Sequence, residues 1–91
     1  MNFIKEKNRI YMEEGGKLLA EVVFDTLDKD TVSISRTFVD ESLRGQGIAG
    51  QLLRAAYKEI KSQNKKAIPT CSYAVKWFVV NKEYRDIIRN G

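Results

Sequence analysis

The sequence predicts a single small α+β domain in which three antiparallel strands lead, through a glycine-rich loop, into a helix. In the N-terminal third, apolar residues alternate with polar ones, as in strands that bury one face. From Ile48 onward they recur at helical spacing, and a cluster of glycines separates the two patterns. A chain of 91 residues holds one hydrophobic core. We therefore expect one domain over residues 1–91.

The first predicted elements are a β-hairpin in NRIYMEEGGKLLAEVVFDTL and a third strand in TVSISRTFV. The Gly-Gly dipeptide of the hairpin suits a tight primed turn. Counting alternate positions of the third strand places Phe38 on the face of Ile34, with Arg36 between them. A charge on an apolar face has two explanations: Arg36 extends to solvent at the strand end, or it faces a site.

The second half is predicted to contain a helix, a short strand and further helix. One apolar stripe defines the helix and consists of Ile48, Leu52, Leu53, Ala56 and Ile60. The strand lies in AIPTCS, where Pro69 suits an edge or a strand end. YAVKWFVVNKEYRDII is predicted to form two short helices that break near Asn81. A strand–loop–helix–strand crossover favours parallel pairing of the strands that it joins.

Composition limits the chemistry. The chain contains no histidine, so a Ser-His-Asp or Cys-His arrangement and a histidine metal ligand are excluded, and we expect no metal. Cys71 is the single cysteine, so no internal disulfide forms. Without a signal-peptide pattern or a membrane-length apolar run, we interpret the protein as cytoplasmic with no membrane partner. The net charge of +4 favours anionic partners, either nucleic acid or a phosphate-rich small molecule.

The glycine cluster has the spacing of a dinucleotide-binding loop, G-x-G-x-x-G, at Gly45, Gly47 and Gly50. The segment DESLR separates it from the strand, and KKAIPTCS provides no ribose-binding carboxylate. A Walker A loop is excluded because no GK[ST] follows. The residues still favour an anion site, since small residues expose the backbone at a helix start and Arg44 adds charge. The alternative is a glycine-rich helix entry without a ligand.

LRGQGIAGQLL resembles the acyl-CoA motif of GNAT-type N-acetyltransferases, Arg/Gln-x-x-Gly-x-Gly/Ala, at Arg44, Gly47 and Ala49. RTFVDESLRGQGIA and AIPTCSYAVKWFVVNKEY also resemble short single-domain GNAT-like proteins with a Pro-x-Cys-x-Tyr element. The resemblance covers roughly residues 30–85. It implies the small GNAT-like fold: antiparallel strands, a strand–CoA loop–helix–strand crossover and C-terminal helices.

The resemblance further implies an acetyl-CoA-dependent N-acetyltransferase. The pantetheine arm would pair with the end of the strand before the loop, and the pyrophosphate would lie on the loop. The residues implied to bind acetyl-CoA are Thr37, Phe38, Val39, Arg44, Gly45, Gln46, Gly47, Ile48 and Ala49. Cys71 and Tyr73, on one side of an extended strand, are candidate acids for the CoA thiolate. Cys71 is also a candidate nucleophile, or only a small packed thiol.

One departure from the family concerns the amine. The short GNAT-like proteins often have His-Thr-Glu-Val where this chain has Arg36-Thr37-Phe38-Val39. We expect an unidentified amine acceptor, either a small molecule or a protein lysine, and a monomer or weak homodimer. The alternatives are a non-catalytic CoA or acyl-CoA binding module and, less favoured, a small basic nucleic-acid-binding domain. No strand shows the paired aromatic residues of an RNA-binding sheet.

Overall fold

A computed structural model describes residues 2–89. Within this range the chain forms one five-stranded sheet, two α-helices and two short 3-10 helices. The strands are β1 (Ile4–Glu6), β2 (Arg9–Glu14), β3 (Lys17–Asp28), β4 (Thr31–Val39) and β5 (Lys66–Pro69), the α-helices are α1 (Ile48–Ser62) and α2 (Ser72–Val80), and the 3-10 helices are Glu41–Leu43 and Lys82–Ile87. The predicted α+β fold is confirmed.

The strands lie in the sheet in chain order, β1-β2-β3-β4-β5. The first three pairings are antiparallel, and β4 and β5 pair in parallel, as the crossover predicts. Gly15 and Gly16 both have positive φ angles, +58° and +80°, as a primed turn requires. The sequence patterns did not predict β1, because its three residues are all exposed and show no buried face.

Both α-helices of the described chain lie on one face of the sheet. The apolar stripe of α1 packs there, and α2 contacts α1 where Trp77 lies against Gly50. Tyr84 of the second 3-10 helix stacks on Trp77, with ring centroids 5.0 Å apart, and meets Tyr57 of α1 edge-on at 4.9 Å. These contacts fasten the C-terminal part of the chain to α1. Over residues 2–89, no helix is both long and apolar enough to cross a membrane.

A β-bulge in β4 reverses which side chains face the helices. Phe24 of β3 pairs with Ile34, but the preceding residue, Val23, pairs with Arg36, so Ser35 is an extra residue. Because adjacent β3 residues face opposite sides of the sheet, their partners do too. The prediction that Ile34 and Phe38 share a face is therefore wrong. Arg36 and Phe38 lie on the face without helices.

The parallel pairing of β4 and β5 ends before β4 does. The backbone oxygen of Ile34 accepts hydrogen bonds from the N–H groups of Thr70, at 2.9 Å, and Cys71, at 3.2 Å. Pro69 has no N–H to donate, and α2 begins at Ser72 and turns the chain away. β4 continues to Val39. The two strands consequently separate, and a space opens between their ends.

Candidate functional site

A cavity of about 430 Å³ lies where β4 leaves β5, at the carboxyl ends of both strands. The end of β4 forms one wall. Residues 44–47, the glycine loop, form a second wall together with the start of α1, and the start of α2 closes the cavity. It is lined by Thr37, Phe38, Val39, Leu43, Arg44, Gly45, Gly47, Ile48, Ala49 and Tyr73. Crevices at the carboxyl ends of parallel strands are common places for ligands.

The structure brings together eight of the nine residues that the resemblance implied for acetyl-CoA. Gln46 is the exception, because its exposed side chain does not line the cavity. Leu43 lines the cavity and was missed. Its signal was present in the sequence, since it is the one apolar residue of the segment DESLR. That these residues bind acetyl-CoA stays a prediction.

The glycine loop has a backbone shape that favours glycine. Gly45 and Gly47 have φ angles of +82° and +74°, in the left-handed region. Gly47 is the N-cap of α1, where it makes no side-chain hydrogen bond, and its carbonyl accepts the N–H of Gln51 at 3.2 Å. The N–H groups of the first turn therefore have no partner within the helix. Since Ile48 and Ala49 line the cavity, these donors lie at its wall.

A short turn holds the loop against the sheet. The Asp40 carboxylate accepts hydrogen bonds from the Ser42 hydroxyl, at 2.6 Å, and from the Ser42 N–H, at 3.1 Å, and it lies 3.6 Å from the Lys17 ammonium. These interactions, the Ser42 hydroxyl first, lower the pKa of Asp40. The N–H of Asp40 donates to the carbonyl of Leu19 at 2.7 Å. The entry to the loop is thus tied to β3.

The two candidate acids occupy different environments. Cys71 is the N-cap of α2, and its sulfur accepts the N–H of Ala74 at 3.4 Å and contacts the Thr37 hydroxyl at 3.4 Å. Tyr73 lies in the first turn of α2, is 47% exposed and lines the cavity, whereas Cys71 does not. The expectation that both share one side of an extended strand is wrong, because the strand ends at Pro69 and the helix begins at Ser72.

On the face without helices, Glu21 is clamped between two arginines. Arg9 donates to one carboxylate oxygen at 2.7 Å, and Arg36 donates to the other at 3.0 Å through its Nε. The Arg36 guanidinium also lies 5.3 Å from the centre of the Phe38 ring, and Phe38 lines the cavity. Each oxygen of the carboxylate therefore already accepts a hydrogen bond from an arginine.

The donors that line the cavity are hydroxyl, guanidinium and backbone N–H groups. Within residues 2–89, acidic and cysteine side chains form no group that could hold a metal ion. Such a cavity suits an elongated anionic ligand, whose charge would lie at the glycine loop and whose other end would lie between β4 and the start of α2.

Comparison with known proteins identifies the family. The profile of the GCN5-related N-acetyl-transferase family matches residues 9–87. The chain therefore belongs to this family, and the resemblance seen in the sequence is confirmed. Protein NATD1 of Xenopus tropicalis is 34% identical over 62 residues, which are 68% of this chain and 57% of that protein. The matched stretch thus spans little more than half of this curated relative.

Solved structures share the fold. A GCN5-like protein from Staphylococcus aureus has a solution structure that is 26% identical, with a TM-score of 0.82, over 99% of this chain and 89% of its own. A GNAT family acetyltransferase from Elizabethkingia anophelis with acetyl-CoA bound is 22% identical, with a TM-score of 0.62, over 84% of this chain and 51% of its own. The chain therefore spans about half the length of such a larger relative.

Proposed function

We propose that this protein is an acetyl-CoA-dependent N-acetyltransferase. The observation that carries the proposal is the cavity between the separated ends of β4 and β5, bounded by the glycine loop on one side and Tyr73 on the other. Family membership and a structural neighbour with acetyl-CoA bound support the same cosubstrate. The acceptor is an amine of a small molecule or of a protein lysine.

The cosubstrate would be held by backbone groups. Because the N–H of Asp40 donates to β3, the backbone groups of Val39 and Thr37, at alternate positions, face the edge that β5 has left. The pantetheine amides would pair with that edge as an added strand does. The pyrophosphate would accept hydrogen bonds from the loop and the first turn of α1, with Arg44 beside it.

The reaction is direct transfer between two bound reactants. The nitrogen of a neutral amine attacks the acetyl carbonyl, a C–N bond forms and the C–S bond breaks. The proton leaves the nitrogen for solvent, and the CoA thiolate takes a proton from an acid. Tyr73 is our candidate acid, because its side chain lines the cavity at the end opposite the phosphate loop. Binding both reactants side by side supplies much of the acceleration.

Cys71 contributes to the proposed site by positioning the helix that carries Tyr73. Its sulfur caps the helix that carries Tyr73 and touches Thr37 of the opposite wall. It therefore positions the start of α2 relative to β4. The prediction that the thiol itself is the acid or the nucleophile requires it to meet the thioester at the end of the cavity away from the glycine loop, and a serine substitution tests that role.

The second candidate is a CoA or acyl-CoA binding module without transfer activity. The observation that favours it is the replacement of a frequent family histidine and glutamate by Arg36 and Phe38. The Glu21 carboxylate beside them is already paired with two arginines. We favour the enzyme because the attacking amine needs only to arrive deprotonated.

The deciding experiment is a pair of measurements on the full chain. Isotope-labelled protein is titrated with acetyl-CoA and, separately, with NAD while backbone NMR signals are followed. We expect shifts at 37–39 and 43–49 with acetyl-CoA only. Release of CoA is then measured by chromatography with a panel of amines. Binding without transfer to any amine would favour the binding module, and no response to acetyl-CoA would overturn both functions.

We further propose that the domain acts in the cytoplasm as a monomer or weak homodimer. The single cysteine, which leaves no internal disulfide, supports this place. Sedimentation at micromolar concentration, with and without acetyl-CoA, tests the assembly state.

A further inference from the structure

Within residues 2–89, the Arg36 guanidinium has hydrogen-bond donors without a partner beside the cavity. Its Nε is committed to Glu21, but within residues 2–89 its two terminal nitrogens make no hydrogen bond. The side chain is 55% exposed, compared with 11% for Glu21 and 33% for Arg9. Arg9, in contrast, approaches Glu21 through both Nε and a terminal nitrogen, each at 2.7 Å, and pairs with Glu6 as well. The guanidinium of Arg36 is thus held at one edge and free at the other.

The position of Arg36 fixes which part of a bound complex it would meet. It lies two residues after Ile34, where the pairing of β4 with β5 ends, and before the residues that line the cavity, which begin at Thr37. It is therefore at the inner end of the gap, and the glycine loop is at the outer end. In the proposed complex the inner end holds the thioester, so Arg36 would lie near the acceptor amine rather than near the phosphates.

The surrounding charges favour an anion there. Within residues 2–89, Glu21 contributes the one negative charge paired with Arg36, and it shares that charge with Arg9. The bulge at Ser35 turns Arg36 onto the face without helices, so a ligand reaches it without displacing an element of the described chain. Two parallel N–H groups on a fixed guanidinium match the two oxygens of a carboxylate.

We propose that Arg36 binds a carboxylate of the acceptor, so that the acceptor is an amine carrying a carboxylate a few bonds from its nitrogen. This inference rests on the proposed function. Glu21 positions the guanidinium, and the terminal nitrogens hold the carboxylate. The amine of the same molecule would then lie over the inner end of the cavity, beside Phe38. This assigns Arg36 to substrate selection and explains why a cation occupies this strand position.

The test uses matched amines with the full chain and acetyl-CoA. Each pair has the same chain length and differs in the carboxylate: 3-aminopropionate with propylamine, 4-aminobutyrate with butylamine, and 5-aminopentanoate with pentylamine. We expect kcat/KM for the carboxylate-bearing member to be at least about tenfold higher in one or more pairs, as a charge-assisted bidentate contact provides. Arg36→Gln should abolish the difference, and Arg36→Lys should retain part of it.

The control is Lys58→Gln, which removes the same charge from an exposed position of α1 and should leave the preference intact. Equal rates within every pair, or a preference that survives Arg36→Gln, would overturn the inference while the transferase function stands. If no amine is acetylated, the transferase function is rejected, and a binding experiment tests whether Arg36 holds a carboxylate. With CoA bound, 4-aminobutyrate but not butylamine should then shift the Arg36 Nε signal, and the absence of that shift would reject it.

Discussion

The Thr37 hydroxyl lies 3.4 Å from the Cys71 thiol, although the pairing of β4 with β5 has already ended at Ile34. Thr37 belongs to the cavity wall, and Cys71 belongs to the cap of α2. The contact therefore joins the two sides of the gap at its inner end. It makes the position of α2, and with it the position of Tyr73, dependent on β4.

We expect Cys71→Ser to fold normally, because serine is a preferred N-cap and its oxygen accepts the N–H that the sulfur now accepts. Turnover and acetyl-CoA affinity should both stay within about threefold of the wild type if the thiol only positions α2. Steady-state kinetics and calorimetry measure the two quantities. A fall in turnover of about tenfold or more with unchanged affinity would instead make Cys71 the acid or the nucleophile.

Tyr73→Phe should lower turnover by at least about tenfold, because it removes the proposed proton donor while keeping the aromatic ring in the cavity wall. Acetyl-CoA affinity should change little. The matched control is Tyr84→Phe, which removes a hydroxyl from a ring packed against Trp77 and Tyr57. Wild-type turnover of Tyr73→Phe across the pH range would show that the acid lies elsewhere.

Gly47→Ala and Gly50→Ala should have opposite effects on stability. At Gly47 the φ angle of +74° strains any side chain, so alanine should cost about 1 kcal/mol and weaken acetyl-CoA binding. Gly50 lies inside α1, and an added Cβ would meet Trp77 and Arg54 at ordinary distances of 3.5 and 3.6 Å. Alanine there should raise stability by up to about 1 kcal/mol. Chemical denaturation measures both.

This pair also tests the glycine spacing. If Gly50→Ala weakened acetyl-CoA binding as much as Gly47→Ala, all three glycines would serve the ligand. We expect only the first two to do so, because Gly50 faces a side chain of α2 rather than a strand or the cavity.

Arg44→Gln should weaken acetyl-CoA binding by about tenfold, because the guanidinium is available to phosphate. Within residues 2–89 it makes one long hydrogen bond, 3.5 Å from its Nε to the Val39 carbonyl. The salt dependence of binding should become shallower as one charge contact is lost. Titration calorimetry at two salt concentrations checks both effects, with Lys58→Gln as the control. Unchanged affinity at low salt would remove Arg44 from the phosphate site.

The free energy of unfolding should depend on pH in the acid range because of the Asp40 carboxylate, which accepts hydrogen bonds from Ser42. Hydrogen bonds from Ser42, followed by the attraction of Lys17, lower the pKa of Asp40 in the folded protein. The contribution of this carboxylate to the free energy of unfolding is therefore complete at neutral pH, and it is lost as the pH falls through the lowered pKa. We expect the Tm difference between wild type and Asp40→Asn to be largest near neutrality and to vanish in strong acid. An equal difference at both extremes would contradict this.

Periodicity and motif spacing were sufficient to predict most of the fold. The hairpin at Gly15, the start of α1 at Ile48 and the parallel crossover follow from patterns that local chemistry dictates. The face of the sheet on which Arg36 lies could not be predicted from these patterns. A single extra residue at Ser35 shifts the alternation, and nothing in TVSISRTFV marks which residue is left unpaired.

The loop residues of the candidate site could be located from the sequence, whereas the placement of the two candidate acids could not. The loop residues are neighbours in the sequence, so one motif located them together. Cys71 and Tyr73 depended on where β5 ends, and a difference of two residues converts a shared strand face into a cap and a first helical turn. The Glu21–Arg36 pair joins residues on different strands, and only the pairing register reveals it.

The order of the strands in the sheet has a consequence for how the site comes into being. Each strand adds beside the one before it, so β1 to β4 can assemble through neighbouring hairpins with short loop closures. The pairing of β4 with β5 closes a longer loop that contains α1, so we expect it to form after these hairpins, and the gap exists only once it has formed. The ligand thus needs a pairing that we expect to form later than the hairpins. Local opening of β5 and α2 would abolish binding while the hairpins persist, and a bound ligand should slow amide exchange most strongly in that segment.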